Sequence, residues 1–328
     1  VTVIIGVDVG GTTMSGGLVS PGGEILTALR APTPRTAPEE VVGRLMEMVA
    51  ELGSRAAALG LVVSGAGVGV PGLVNAQRGV VGGLVILVPG LARIPLAERL
   101  SAEFGVPAFV DNDANTLALG EWMFGLGRDA ASFVLLAVGS GVGGAVILDG
   151  RLIRGKDGYA GEFGHIPVEL AGPPCRCGGR GCLCAYLAGA ALAGEAKRRV
   201  GASPHSRLLA LAGGDPGAIT AETIFAAAAA GDDIAESMVQ QACRVLGAGL
   251  AMIVNGLNPE VVMVTGGVVE SLIPVQDRIL SWARQYALAD SLAGTRIHLV
   301  GGDKGRSMRG GAALVLYERS RRASPTPR

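Results

Sequence analysis

The sequence predicts an α/β protein built from two related halves. Three observations carry that reading. The chain has 328 residues, enough for two domains that each bury a core. Apolar runs of strand length alternate with amphipathic stretches of helix length. One design of strand, glycine turn and strand also occurs twice: "VDVGGTTMSGGLVSPGGEIL" near the start returns as "LAVGSGVGGAVILDGRLI" in the middle. That period is too long for a solenoid and points to duplication. Two such halves, each with a glycine hairpin at its mouth, imply a cleft between them.

In chain order, "VTVIIGVDVGGTTMSGGLVSPGGEILTALR" reads as three strands joined by a glycine turn and a tight Ser-Pro-Gly-Gly turn. Pro38 opens an amphipathic helix through about Leu59, with Val41, Val42, Leu45, Met48, Val49 and Leu52 on one face. "LGLVVSGAGVGV" reads as a buried strand, Leu96 to Phe104 as a helix, and "VPAFV" as a strand ending at "DNDAN". Beyond the second hairpin the chain turns more helical. Ile234 to Leu257 reads as one long helix, "EVVMVTGGV" as a buried strand, and Ser271 to Ala287 as another helix. "RIHLV" makes a last strand and "GGAALVLYER" a closing helix.

Formal net charge is zero, so no electrostatic case exists for a nucleic-acid or acidic-membrane partner. Ala56 to Gln77 runs 22 residues without a charge, a length that would suit a spanning helix. Its five glycines and one proline read instead as a buried strand followed by turns. The chain starts directly in a strand, with no basic segment of a signal peptide, so a cytoplasmic location is expected. Thiols stay reduced there.

Three glycine turns offer backbone N–H groups of the kind that cradle phosphate: Gly10-Gly11-Thr12-Thr13, Gly139-Ser140-Gly141-Val142-Gly143-Gly144, and Gly266-Gly267. None is a Walker A loop, since no Gly-Lys-Ser/Thr follows, and a hairpin rather than a helix follows the second. Asp8, beside the first turn, is placed either to hold Mg²⁺ against phosphates or to cap the turn. "DNDAN" sets Asp111 and Asp113 where a strand meets a helix. A carboxylate there can take the proton of an attacking hydroxyl, or simply cap the helix.

Four of the five cysteines fall within ten residues, Cys175 to Cys184. Cys175, Cys177 and Cys182, with His165 upstream, make a Cys₃His set suited to tetrahedral zinc. Cys184 is an alternative fourth ligand. The spacing is not that of a zinc finger, so the metal would brace a loop. Cys243 reads as a small buried apolar residue of the long helix.

"DVGGTT", "VPG", "DNDANTLALGE", "VGSGVGGAVILDG", "AGEFGH" and "CRCGGRGC" come in the order and spacing of ROK proteins (repressors, open reading frames and kinases), especially the bacterial glucokinases. The resemblance covers nearly the whole chain. It implies a two-domain actin-like ATPase, hexokinase-type fold (ribonuclease H-like and duplicated) with an interdomain cleft. It further implies ATP with Mg²⁺, a structural Zn²⁺, a sugar substrate, and a homodimer or homotetramer. The domains would be a small one over 1–112 and a larger one over 113–309 carrying the zinc loop 165–184, with the closing helix 310–320 packed back on the first.

Residue by residue, Asp8, Gly10, Gly11 and Thr12 match the family's first phosphate motif, with Thr13 beside them. Gly139, Ser140, Gly141, Gly143 and Gly144 match the second, and Gly266 with Gly267 the adenosine motif. Asn112 matches a sugar-hydroxyl contact and Asp113 the catalytic base. Glu162 and His165 match sugar contacts, His165 also serving as a zinc ligand with Cys175, Cys177 and Cys182. Gly72 would lie in the loop under the sugar.

Three departures matter. Thr13 stands where the family usually has lysine. Leu87 and Leu91 replace an asparagine and a tryptophan, and Cys184 replaces a glutamate that contacts the sugar. The expectation is a sugar kinase acting on a primary hydroxyl, with intact phosphoryl-transfer residues and an altered pocket in which glucose is a poor substrate. A repressor of the family would carry a DNA-binding helix-turn-helix before Asp8, where seven residues stand. A non-catalytic sugar sensor is the closer rival, and retention of Asp8 and Asp113 speaks against it.

Overall fold

A computed structural model of the chain describes residues 1–34, 37–83, 85, 88–201 and 206–323. The first elements are β1 (Thr2–Val9), β2 (Thr13–Val19), β3 (Ile25–Pro32), α1 (Pro38–Ala58), β4 (Val62–Val70), β5 (Val74–Asn75) and β6 (Val80–Val81). Next come α2 (Leu96–Phe104), β7 (Ala108–Asn112), α3 (Asp113–Phe124), β8 (Phe133–Val138), β9 (Val142–Leu148) and β10 (Arg151–Leu152). Helices α4 (Cys184–Leu187), α5 (Gly189–Val200), α6 (Arg207–Leu211), α7 (Ala221–Ala229) and α8 (Asp233–Leu257) follow. The chain closes with β11 (Val261–Gly266), α9 (Val269–Leu272), α10 (Gln276–Tyr286), α11 (Ala289–Gly294), β12 (Arg296–Gly301) and α12 (Lys304–Ala323).

The chain forms two compact units. Unit 1 holds Val1–Ala131, Ala145–Ala160 and Asp303–Arg328; unit 2 holds Ser132–Gly144 and Gly161–Gly302. The sequence placed the first boundary at residue 112, but α3 packs against β4 and α12 and belongs to unit 1. The end of β9, from Ala145, and β10 lie there as well, turning through Asp149 and Gly150, both at positive φ.

Unit 1 is a five-stranded sheet ordered β3-β2-β1-β4-β7. β1 is antiparallel to β2 and parallel to β4, which is parallel to β7. All but the first residue of β1 are buried, as in a sheet covered on both faces. The covers differ. A Cβ on Gly16 would stand 2.8 Å from Met48 Sδ of α1, whereas one on its neighbour Gly17 would stand 3.0 Å from Met308 Sδ of α12. Consecutive strand residues face opposite ways, so α1 and α12 cover opposite faces.

Helix α12 is longer than the sequence indicated, beginning at Lys304 rather than Gly310. The glycine pair that reads as a helix start is instead a contact surface. A Cβ on Gly310 would meet Thr116 O of α3 at 2.5 Å, and one on Gly311 would meet Gly67 O of β4 at 2.5 Å. Backbone-to-backbone packing offsets the propensity cost of about 1 kcal/mol per glycine. The stretch expected to be one helix over 271–287 is broken into α9, a 3₁₀ turn over Ile273–Val275, and α10. Pro274 has no N–H for a continuous ladder.

In unit 2, β8, β11 and β12 run parallel, with β11 in the middle. Helix α8 supplies the core, Cys243 among it as expected. It is capped by Asp232 at its start and by Asn258, at φ 44, at its end. Among the described residues α8 alone is long and apolar enough to cross a membrane, yet 67% of its apolar window is buried within the protein. It is a core helix. The repeat read from the sequence has its counterpart in the succession β1–β2–β3 and β8–β9–β10.

Candidate functional site

In unit 1 the candidate residues gather at the carboxyl edge of the parallel strands. Asp8 of β1 is in register with Gly69 of β4, which is in register with Asp111 of β7. Beyond Asp8 the chain makes the turn Gly10–Thr13, closed by Gly10 N–H donating to Thr13 O at 3.0 Å. A Cβ on Gly10 would stand 2.8 Å from that same oxygen, so the turn requires glycine. Thr33, which the sequence reading did not single out, ties the turn down: its Oγ1 donates to Gly10 O at 2.7 Å and its N–H to Thr12 O at 3.0 Å.

Asp8 is buried, and desolvation pushes its carboxyl above the usual value against the lowering pull of Lys304 and Ser307. Lys304 Nζ lies 3.4 Å from Asp8 Oδ2. Nothing local in the sequence marks this lysine, which is 296 positions away.

Helix α3 begins directly at Asp113, and its N-cap is Asn112. Asn112 Oδ1 accepts from Ala114 N at 2.9 Å and Asn115 N at 3.3 Å, while its Nδ2 donates to Gly72 O at 3.0 Å. The residue read as a sugar contact therefore also caps a helix and holds the Gly72 loop, where Gly72 itself sits at φ 93. Asp113, with Asn112 in the cap position, is half-buried at the strand–helix junction, its Oδ1 accepting from Ala114 N at 2.9 Å.

Asp111, the second carboxylate of the motif, is 0% exposed. Its Oδ1 accepts from Asn112 N and Asn115 Nδ2, and its Oδ2 accepts from Arg154 Nε. Both oxygens of Asp111 are thus engaged within unit 1. Arg154 is a second residue that the sequence reading passed over.

Unit 2 holds the other candidates. Gly139 and Gly141 close a tight turn, Gly139 N–H donating to Gly141 O at 2.8 Å, with Ser140 at its tip. Gly143 follows in β9. A Cβ on Gly144 would meet Gly161 O and Phe163 Cδ2, each at 2.6 Å. Gly266 ends β11 at φ 121, a conformation that favours glycine, while a Cβ on Gly267 would meet nothing within 4 Å.

The thiols come together as read. His165, Cys175, Cys177 and Cys182 place their ligand atoms all within 4.8 Å of one another. Cys184 joins them, with its Sγ 3.3 Å from Cys175 Sγ and 3.7 Å from His165 Nδ1. Gly178 and Gly181, both at positive φ, let the loop fold back so that Cys175 N–H donates to Gly179 O at 2.9 Å. Burial raises the Cys175 thiol, but hydrogen bonds from Cys177, Cys184 and His165 prevail and lower it to about 6. Burial and the neighbouring sulfurs push Cys182 up to about 12 and Cys184 up as well. His165 Nε2 points the other way, 3.9 Å from Glu162 Oε2. Burial raises the Glu162 carboxyl, with His165 pulling the other way. Leu87 lies outside the described residues; Leu91 is fully buried in the unit 1 core.

The chain is 36% identical over 286 residues to the glucokinase of Streptomyces coelicolor, a match covering 85% of this chain and 87% of that relative. A ROK family glucokinase from Streptomyces griseus, solved in complex with glucose and AMPPNP, shares its structure with a TM-score of 0.79 at 32% identity, covering 94% of this chain and 98% of that one. The xylose repressor of Caldicellulosiruptor bescii is 33% identical over 204 residues, covering 62% of this chain and 50% of the repressor. With the ROK family model matching residues 4–318, the chain belongs to the ROK family and has its actin-like ATPase, hexokinase-type fold.

Proposed function

We propose that this chain is an ATP-dependent sugar kinase that phosphorylates a primary hydroxyl of a hexose or modified hexose, with Asp113 as general base. One observation carries the reading: Asp8, Gly72 and Asp113 converge at the carboxyl edge of β1, β4 and β7, where α/β sheets present ligand groups. The similarity to bacterial glucokinases supports it.

In this reading Asp113 accepts the proton of the sugar hydroxyl as its oxygen attacks the γ-phosphorus, and the bond from that phosphorus to ADP breaks. Asn112, Gly72, Glu162 and His165 orient the sugar. The turns Gly10–Thr13 and Gly139–Gly144 offer N–H donors to the phosphates. Gly266 and Gly267 are the adenosine contacts in this reading, Gly267 with open space where a side chain would stand. Asp8, a buried carboxylate beside the first turn, fits a hard cation, and would hold Mg²⁺, which supplies charge neutralisation of the phosphates. His165, Cys175, Cys177 and Cys182 are a soft donor set of the right number for tetrahedral Zn²⁺, which would brace the 165–184 loop. We place the enzyme in the cytoplasm as a homodimer or homotetramer, without a nucleic-acid or membrane partner.

The match to a xylose repressor favours one other reading, a sugar-responsive protein without turnover. Incubation with MgATP and a panel of glucose, deoxy, amino and N-acylated hexoses decides between them. A sugar phosphate and stoichiometric ADP support the kinase. Sugar binding without product from any hexose would overturn it.

A further inference from the structure

The first glycine turn lacks a cation of its own. Gly10 N–H is committed to Thr13 O, and Thr13 brings a neutral side chain. An anionic ligand approaching this turn also faces the buried carboxylate of Asp8. Mg²⁺ held by Asp8 would offset part of that repulsion, and a fixed protein cation beside both groups would offset more.

Lys304 is such a cation. It opens α12, and its Nζ lies 3.4 Å from Asp8 Oδ2. A Cβ built on Gly10 would stand 3.7 Å from the same Nζ, which places the ammonium against the turn itself. An ammonium carries three donors, and 44% of this side chain remains exposed, so a ligand oxygen can reach it while the Asp8 contact persists. The turn, the aspartate and the lysine all belong to unit 1.

We propose that Lys304 is the protein's cation for the polyphosphate of the nucleotide, contacting its terminal phosphates beside the Gly10–Thr13 turn. The inference rests on the kinase reading and adds to it a residue from the opposite end of the chain. With no ligand bound, Lys304 pairs with Asp8; with the nucleotide bound, it faces both.

Titration calorimetry with MgATP and with adenosine, on the native protein, Lys304→Ala and Lys304→Arg, tests this. Loss of a charged hydrogen bond should weaken MgATP binding about 10- to 100-fold in the alanine variant. Adenosine affinity should stay unchanged, and the arginine variant should retain most of the native MgATP affinity. Equal weakening of adenosine and MgATP would mark Lys304 as structural and overturn the proposal, as would MgATP binding unchanged by Lys304→Ala. Failure of the native protein to bind MgATP would overturn the kinase reading and this inference together.

Discussion

Arg154 Nε donates to Asp111 Oδ2 at 2.7 Å, and Nη2 of the same guanidinium lies 2.7 Å from that oxygen. The arginine also pairs with Glu318 at 2.6 Å and stands 5.6 Å from the ring centroid of Tyr317. Burial would lower its pKa, but Asp111 and Glu318 more than compensate and raise it. This pair fixes the strand end from which Asn112 and Asp113 project, and joins it to α12.

Arg154→Ala leaves the fully buried Asp111 carboxylate without its counter-charge. Breaking a buried pair in this way costs about 3–5 kcal/mol, and denaturant unfolding should show a loss of that size. Arg154→Lys should recover only part of it, because an ammonium cannot span Asp111 and Glu318 in one plane. An alanine variant of native stability would show that the pair contributes nothing.

Asp113→Asn should keep the fold and nucleotide affinity but lower kcat by about 10²–10⁴-fold, the range for a lost general base. Steady-state kinetics on the best hexose, with calorimetry for the nucleotide, checks both halves. Near-native turnover would remove Asp113 from the mechanism, and Asp111 could not succeed it because its oxygens are already engaged.

Purified protein should contain about one zinc per chain, the stoichiometry of a single four-ligand structural site. Chelation should lower Tm, since a ligand held by the folded state alone stabilises it. Cys177→Ser should abolish the metal. Comparing zinc content in His165→Ala and Cys184→Ser assigns the fourth ligand, since both side chains lie 3.7 Å apart at the cluster. Metal-free protein with native Tm would contradict a structural site.

Asp232 caps α8 and yields a pH dependence. Burial would raise its carboxyl, but bonds from Ser206 Oγ at 2.6 Å, Ala235 N at 2.9 Å and Leu208 N at 3.2 Å prevail and hold it below the ordinary value of 3.8. A depressed folded pKa gives stability that is present above the unfolded value and lost as pH falls through the folded one. Asp232→Ala should therefore cost about 1–2 kcal/mol at pH 7, with the difference from native narrowing as pH drops below 4. A constant difference across that range would show that the charge plays no part.

What the sequence determined was local in origin. The glycine turns, the Asp-Gly hairpin and the α1 and α8 helices follow from φ preference and periodicity within a few residues, and the structure forms them where they were read. The cysteines were legible for the same reason, because their spacing around a Gly-Gly turn already limits how far apart the sulfurs can lie.

Tertiary structure decided what depends on distant partners. Gly310 and Gly311 read as a helix start until Thr116 and Gly67 are seen pressed against them. Asp111 and Asp113 look alike in "DNDAN", and only Arg154, 43 positions away, takes one of them out of the chemistry. Lys304 reaches Asp8 only because α12 packs along β1. Periodicity and turn chemistry act over a few residues, whereas the partner of a buried charge is chosen by sheet order and helix packing, which bring together side chains from opposite ends of the sequence.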